Sequence, residues 1–168
     1  MWEASVQKGG WFSLKKQAGT WFGEKVKVDG FTFDSKKEHQ FYERFIKNSG
    51  YKFEVHKGFQ LHAAIPLLDG KLKVRSSRYT PDFVVYDYDG SIKHVYDLKN
   101  SFTTFAIDQA AALRFKWFEL KYGIPVEVVV PRVNSFKVKI MGTTKKFEPV
   151  TVDDVGYNID DLVTVTDK

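Results

Sequence analysis

The sequence predicts an α/β fold, a mixed β-sheet flanked by helices. Three observations predict it. Strand-like and helix-like runs follow one another in the order hairpin, helix, strand, hairpin, helix, strand. The run IPVEVVVP, Ile124 to Pro131, is almost wholly apolar, as expected of a central strand covered on both faces. At 168 residues, 43% hydrophobic and 16% aromatic, the chain has material for one real core.

The elements follow in order. Residues 1–24 form an N-terminal arm in which Trp11-Phe12 and Trp21-Phe22 repeat around Lys15 and Lys16. Its aromatics cover the core, stack on bases, or pack on a second subunit. Residues 25–147 form the main body. Val26, Val28, Phe31 and Phe33 alternate around Asp29-Gly30 and predict a short hairpin. Ser35-Lys36-Lys37-Glu38 is a capping-box pattern that starts a helix running to about Asn48, with Gly50 ending it. Phe41, Tyr42, Phe45 and Ile46 make its apolar face, and Glu38 lies on the edge of the inward side. Tyr51 to Ile65 reads as a strand, and Pro66 to Ser77 as a loop with Lys71, Lys73 and Arg75. His56 and His62 lack a third histidine or a cysteine nearby, so surface or core histidines are favoured over zinc ligands.

After a hairpin over Arg78–Asn100, a helix is predicted from about Ala106 to Tyr122, with Gly123 as its C′ residue. Ile107, Ala110, Ala111, Phe118 and Leu120 face inward, while Arg114, Lys116 and Lys121 are its cations. Ile124–Pro131 is expected to run parallel to its neighbour across that helix. Phe136 to Met141 is a further strand. Residues 148–168 are an acidic segment with strand-like pieces at Val150–Val152 and Leu162–Thr166, expected as an edge strand or a loose tail.

Composition excludes several classes. There is no cysteine, hence no disulfide, thiolate nucleophile or zinc–thiolate site. No apolar run approaches membrane-spanning length, and the N-terminus lacks a signal-peptide core, so no membrane partner is expected and a cytoplasmic setting fits. No Gly-rich phosphate loop or G-x-S-x-G elbow occurs. The net charge is +5, and residues 148–168 hold six acids and one lysine, so residues 1–147 carry +10. A body this basic points to a polyanionic partner.

The chain is organised around RYTPDFVVYDYDGSIKHVYDLKN, Arg78 to Asn100. Two β-rich runs, Tyr79–Tyr86 and Ile92–Leu98, flank Asp89-Gly90, a strong hairpin signal. With Asp89 and Gly90 as a two-residue loop, Tyr86 faces Lys93, Val84 faces Val95, and Asp82 faces Asp97. Lys99 falls on the same face one pleat further on. Opposed carboxylates with Cβ atoms ~5 Å apart repel by roughly 3 kcal/mol at an effective dielectric of about 20. Lys99 offsets part of this, and a hard divalent cation would offset more. Pairing alone leaves two readings, a metal site or a solvated hairpin end.

Pro81-Asp82, fourteen residues, then Asp97-Leu98-Lys99 resembles the PD-(D/E)xK nuclease motif. Tyr79-Thr80-Pro81-Asp82-Phe83, a turn and an acid-x-Lys strand are similar to the phage endonucleases of the endonuclease I type, which resolve Holliday junctions. They equally resemble a family of uncharacterised phage proteins with the pattern dG..FdSK.E, Y..DF and DvKG. The likeness covers roughly Val28 to Pro131. Asp97 stands where Glu is common, and Asn100 where Gly is usual.

The resemblance implies a restriction-endonuclease-like fold and a Mg²⁺-dependent DNA endonuclease, with Mn²⁺ able to substitute. Asp82, Asp97 and Glu38 would hold the metal, and Lys99 would orient or activate water. Arg78, Arg114 and Lys116 would contact DNA. Branched or four-way DNA is the implied substrate and a homodimer the implied assembly, within a phage-infected or prophage-carrying bacterium. The alternatives are a less selective nuclease and a DNA-binding accessory protein without turnover.

Overall fold

The computed structural model describes residues 24–144 and 147–164. Most of the predicted N-terminal arm lies outside them. A six-stranded mixed sheet forms the centre, flanked by helices as the sequence predicts, and the architecture is consistent with a restriction-endonuclease-like fold.

The chain enters through a hairpin, β1 (Val26–Val28) and β2 (Phe31–Phe33). Asp29 and Gly30 both adopt positive φ in its turn. Helix α1 (Lys36–Phe41) starts at Ser35, whose hydroxyl accepts the Glu38 N–H, so the expected cap forms. It then widens into a π-helical turn, Tyr42–Ile46, rather than running on as α-helix to Asn48. The long strand expected over Tyr51–Ile65 is broken in two. β3 (Lys52–Val55) stays in the main sheet, and β4 (Phe59–His62) leaves it. The break falls at His56, whose φ of 53° is left-handed and cannot continue a strand.

The loop expected over Pro66–Ser77 is instead ordered as a ribbon. β5 (Ile65–Leu67) pairs antiparallel with β6 (Leu72–Val74), and β7 (Ser77–Tyr79) returns beside β4. The alternation Ile65, Leu67 and Leu72, Val74 around a turn carries this signal, which the charges of the segment obscured. β8 (Phe83–Tyr86) and β9 (Ile92–Leu98) form the motif hairpin. Helix α2 (Gln109–Tyr122) begins three residues later than expected, because Asp108 caps it by accepting the Ala111 N–H, and it ends on Gly123 with φ 67°. β10 (Glu127–Pro131) runs parallel to β9 as predicted, and β11 (Phe136–Ile140) and β12 (Val150–Val152) complete the sheet. The order is β12-β11-β10-β9-β8-β3, which puts the most apolar strand inside.

Each face of the sheet has its own core. α1, the β1–β2 hairpin and the C-terminal segment cover one, where Phe41 packs against Phe45, Phe83, Tyr96 and Phe136. α2 and the β4–β7 pair cover the other, through Phe115, Phe118, Phe59 and Tyr79. Burying each such ring contributes roughly 1.5–3 kcal/mol. Two inward assignments on α2 are corrected: Ala110 and Leu120 are exposed, Leu120 at 75%. The inward stripe runs through Ala111, Phe115 and Phe118, spaced i, i+4, i+7, which turns Ala110 and Leu120 away from it.

The acidic segment is no loose tail. β12 is an edge strand as expected, but the second strand-like piece is a helix, α3 (Ile159–Thr164). Val155 and Leu162 are buried in the first core. Beneath them His94 and Glu127 form a fully buried pair, Nδ1 to Oε1 at 2.7 Å. His94 Nε2 lies 3.1 Å from the Val155 carbonyl, and the Tyr157 hydroxyl donates to Glu127.

Candidate functional site

The motif hairpin closes differently from the simple count, yet reaches the same pairing. Asp87 N–H donates to Ser91 O at 2.8 Å and Gly90 N–H to Asp87 O at 3.0 Å, so Tyr88, Asp89 and Gly90 make a three-residue loop. Only Gly90 takes positive φ there, at 87°. Tyr86 therefore pairs with Ile92, not Lys93. Lys93 then forms a bulge, and beyond it Val85 pairs with His94, Val84 with Val95 and Phe83 with Tyr96. The extra loop residue and the bulge residue cancel. The ladder ends at Phe83 and Tyr96; just before it, Asp82 N–H donates to Tyr96 O at 3.0 Å, and Asp82 lies near enough to Asp97 for the two carboxylates to repel.

Asp97 is 7% exposed. Its Oδ2 accepts the Tyr79 hydroxyl at 3.1 Å. Its Oδ1 is sealed from solvent and takes no well-aligned hydrogen bond, with only the Lys99 ammonium set against it. Lys99 is held by its own N–H, which donates to Val129 O at 2.8 Å and ties the acid-x-Lys strand to β10. Asp82 accepts the Leu98 N–H through Oδ2. Part of Asp82 reaches solvent, but its surroundings are crowded with like charge. Burial, then Asp97, then Glu38 push its carboxyl up to about 8, against the pull of the Leu98 N–H and Lys99.

Glu38 keeps both of its expected roles in contention. Its Oε1 accepts the Ser35 hydroxyl at 2.8 Å and its Oε2 the Asp34 N–H at 2.9 Å, the work of a cap. It is also 8% exposed and near enough to raise the Asp82 carboxyl. His56 Nε2 sits 3.2 Å from Glu38 Oε2, while the His56 N–H donates to the Asp82 carbonyl at 3.1 Å. Glu38, Asp82 and Asp34 together raise His56 above an ordinary histidine. Among the described residues, Asp34, Glu38 and His56 are the group whose ligand atoms all lie within 4.8 Å of one another. Asp82 and Asp97 stand outside that tight group.

The expected phosphate contacts are exposed. Arg78 lies on β7, with its guanidinium against Gly58, where a Cβ would come within 2.6 Å of Nη2. Arg114 and Lys116 lie on the outer side of α2, and none of the three has an ion pair among the described residues. Asn100, where glycine is usual in the resembled families, is not among the residues with positive φ, so the replacement carries no backbone strain. No sequence pattern signals the partnership of His56 and Asp34 with Glu38. It depends on the left-handed turn at His56, which no local pattern announces. The buried His94–Glu127 pair was also missed, although a lone Glu inside IPVEVVVP was its one visible trace.

The fold and site define a mixed α/β protein with two neighbouring aspartates and a lysine at one end of its central sheet. No helix among the described residues is long and apolar enough to cross a membrane. The chain belongs to the family DUF1064, described as proteins of unknown function, whose model matches residues 20–133. No curated protein and no solved structure matches it.

Proposed function

We propose that the protein is a metal-dependent DNA endonuclease of the PD-(D/E)xK class. The observation that carries this reading is the closeness of the Asp82 and Asp97 carboxylates, with Lys99 against Asp97. The residues fit a hard divalent cation. Asp97 Oδ1 is buried without a well-aligned donor, and the Asp82 and Glu38 carboxylates stand close enough to add like charge beside it. Asp82 and Asp97 would hold the ion, with Glu38 as the third acid once His56 yields its place. Mg²⁺, or Mn²⁺ in its stead, would lower the pKa of water and neutralise charge growing on the phosphate.

The chain's own groups do the rest. Tyr79 fixes the Asp97 carboxylate through Oδ2 and leaves Oδ1 toward Lys99. Lys99 presents its ammonium where it would orient the attacking water or stabilise the phosphoryl oxygens. Arg78, Arg114 and Lys116 would bind the DNA backbone. Branched DNA is the proposed substrate, and a homodimer the proposed assembly, since paired nicks across a junction need two sites.

The test uses a labelled four-way junction and a matched linear duplex, with wild type and Asp97→Ala, in Mg²⁺ and in EDTA. Mg²⁺-dependent nicking of the junction, lost by at least about 10³-fold in Asp97→Ala, is expected. Equal cutting of both substrates would remove the junction preference. Binding without cutting in Mg²⁺ would leave a DNA-binding accessory protein.

A further inference from the structure

Five of the twelve large apolar side chains left exposed among the described residues belong to one short ribbon, β5–β6. Its register pairs Ile65 with Val74 and Leu67 with Leu72, so four apolar side chains share one face while Pro66 pairs with Lys73 on the other. The four are 42–58% exposed, and Leu68 at the tip is 67% exposed. The tip is a tight turn closed by Gly70 N–H to Leu67 O and Lys71 N–H to Leu68 O, both 3.1 Å. Leu68 and Asp69 adopt φ of 50° and 53° there, a conformation that favours Asn and Gly. A leucine in the left-handed region costs about 1 kcal/mol. Neither packing nor turn chemistry accounts for leucine at that position.

Charge identifies what the ribbon meets. Lys71, Lys73 and Arg75 are exposed and lack an ion pair among the described residues, and Asp69 is the one acid between Ile65 and Arg75. A second copy of the ribbon would set these cations against their equals, whereas a polyanion neutralises them. The ribbon is also rooted at the candidate site. It continues through β4 and β7 to Tyr79, whose hydroxyl holds Asp97.

We propose that the β5–β6 ribbon is a DNA-gripping arm, with Lys71, Lys73 and Arg75 on phosphates and Leu68 wedged into a base step. Apolar wedges on basic arms unstack a step and bend the duplex, which lets more of the protein touch it. The inference rests on the nuclease reading and adds how that site's substrate is held and deformed.

The experiment is run in EDTA, so that it does not depend on cleavage. The probes are a four-way junction and a linear duplex carrying 2-aminopurine, whose fluorescence rises when its step unstacks. The variants are Leu68→Asn, which suits the turn and should leave thermal stability unchanged or higher, and Lys71→Ala/Lys73→Ala. Wild type should raise the fluorescence of at least one probe position. Leu68→Asn should abolish that rise and weaken binding about 5–10-fold. The double lysine variant should weaken binding and lower the salt slope by about 2. Unchanged fluorescence and affinity in Leu68→Asn would overturn the proposal, as would wild type that binds no DNA. A concentration-dependent dimer that Leu68→Asn dissociates would also overturn it and make the ribbon a subunit interface. The two readings fail separately. Binding and unstacking without Mg²⁺-dependent cutting would sink the nuclease and keep the arm. Cutting that Leu68→Asn leaves intact, with no unstacking, would sink the arm alone.

Discussion

Glu119 illustrates what burial does to one carboxyl group. It sits on α2 with Oε1 accepting the Val126 N–H at 3.0 Å. Burial raises its pKa, and the Val126 N–H pulls it back only in part. The fold thus favours its protonated form. The cost of ionising it is absent well below the ordinary glutamate value, grows as pH rises through that value, and is complete once pH passes the raised one. Glu119→Gln keeps an acceptor for Val126 and carries no charge. Its stability should exceed wild type near pH 7 by less than about 1 kcal/mol, seen as a higher melting temperature, and match it near pH 3. Thermal unfolding at the two pH values checks this; an equal gain at both would contradict it. At this scale the sequence was legible where a local rule governs the residue. Ser35 caps as its pattern says, and the β8–β9 pairing returns to the counted register at Val84 and Val95. It was illegible where the partner is remote. Nothing near His56 names Glu38, and nothing near His94 names Glu127.

At the scale of elements, long periodic segments read true and boundaries drifted. α2 and β10 were found because a helical stripe and an unbroken apolar run persist over many residues. β3 and β4 look continuous in the sequence because only residues 56–58 separate them and no pattern marks the left-handed turn at His56. β5–β6 resembles a loop in the sequence because its cations mask its alternation. The β9–β10 contact carries a prediction of its own. His94 and Glu127 are both wholly buried, and each leans on the other. His94→Leu should cost roughly 3–5 kcal/mol in urea unfolding, because Glu127 is left buried with only the Tyr157 hydroxyl to meet it. His94→Leu/Glu127→Leu should recover most of that loss. A double variant as unstable as the single one would show that the pair is not the unit.

For the whole molecule, the C-terminal segment is part of the first core rather than an appendage. Val155 and Leu162 are buried, Val155 lends its carbonyl to His94, and Tyr157 donates to Glu127. Ending the chain at Val152 removes all of these at once. Each buried aliphatic lost costs about 2–5 kcal/mol, against a total margin of about 5–15 kcal/mol. Such a truncation should show no cooperative thermal transition by circular dichroism; a clean transition near that of the full chain would refute the assignment. The acidic charge of the segment suggests a tail, whereas the burial of Val155 and Leu162 makes it a cover for one face of the sheet.

The motif hairpin also has a parity. With fourteen residues between Asp82 and Asp97, the two acids meet only if loop and bulge residues together make an even number, here three and one. Turn and bulge are therefore a matched pair. A substitution that tightens Tyr88–Asp89–Gly90 into a two-residue turn, with no residue removed, must iron out the bulge at Lys93 or turn one aspartate to the opposite side of the sheet. Engineers of this hairpin, and readers of its relatives, should count both irregularities before aligning the acids.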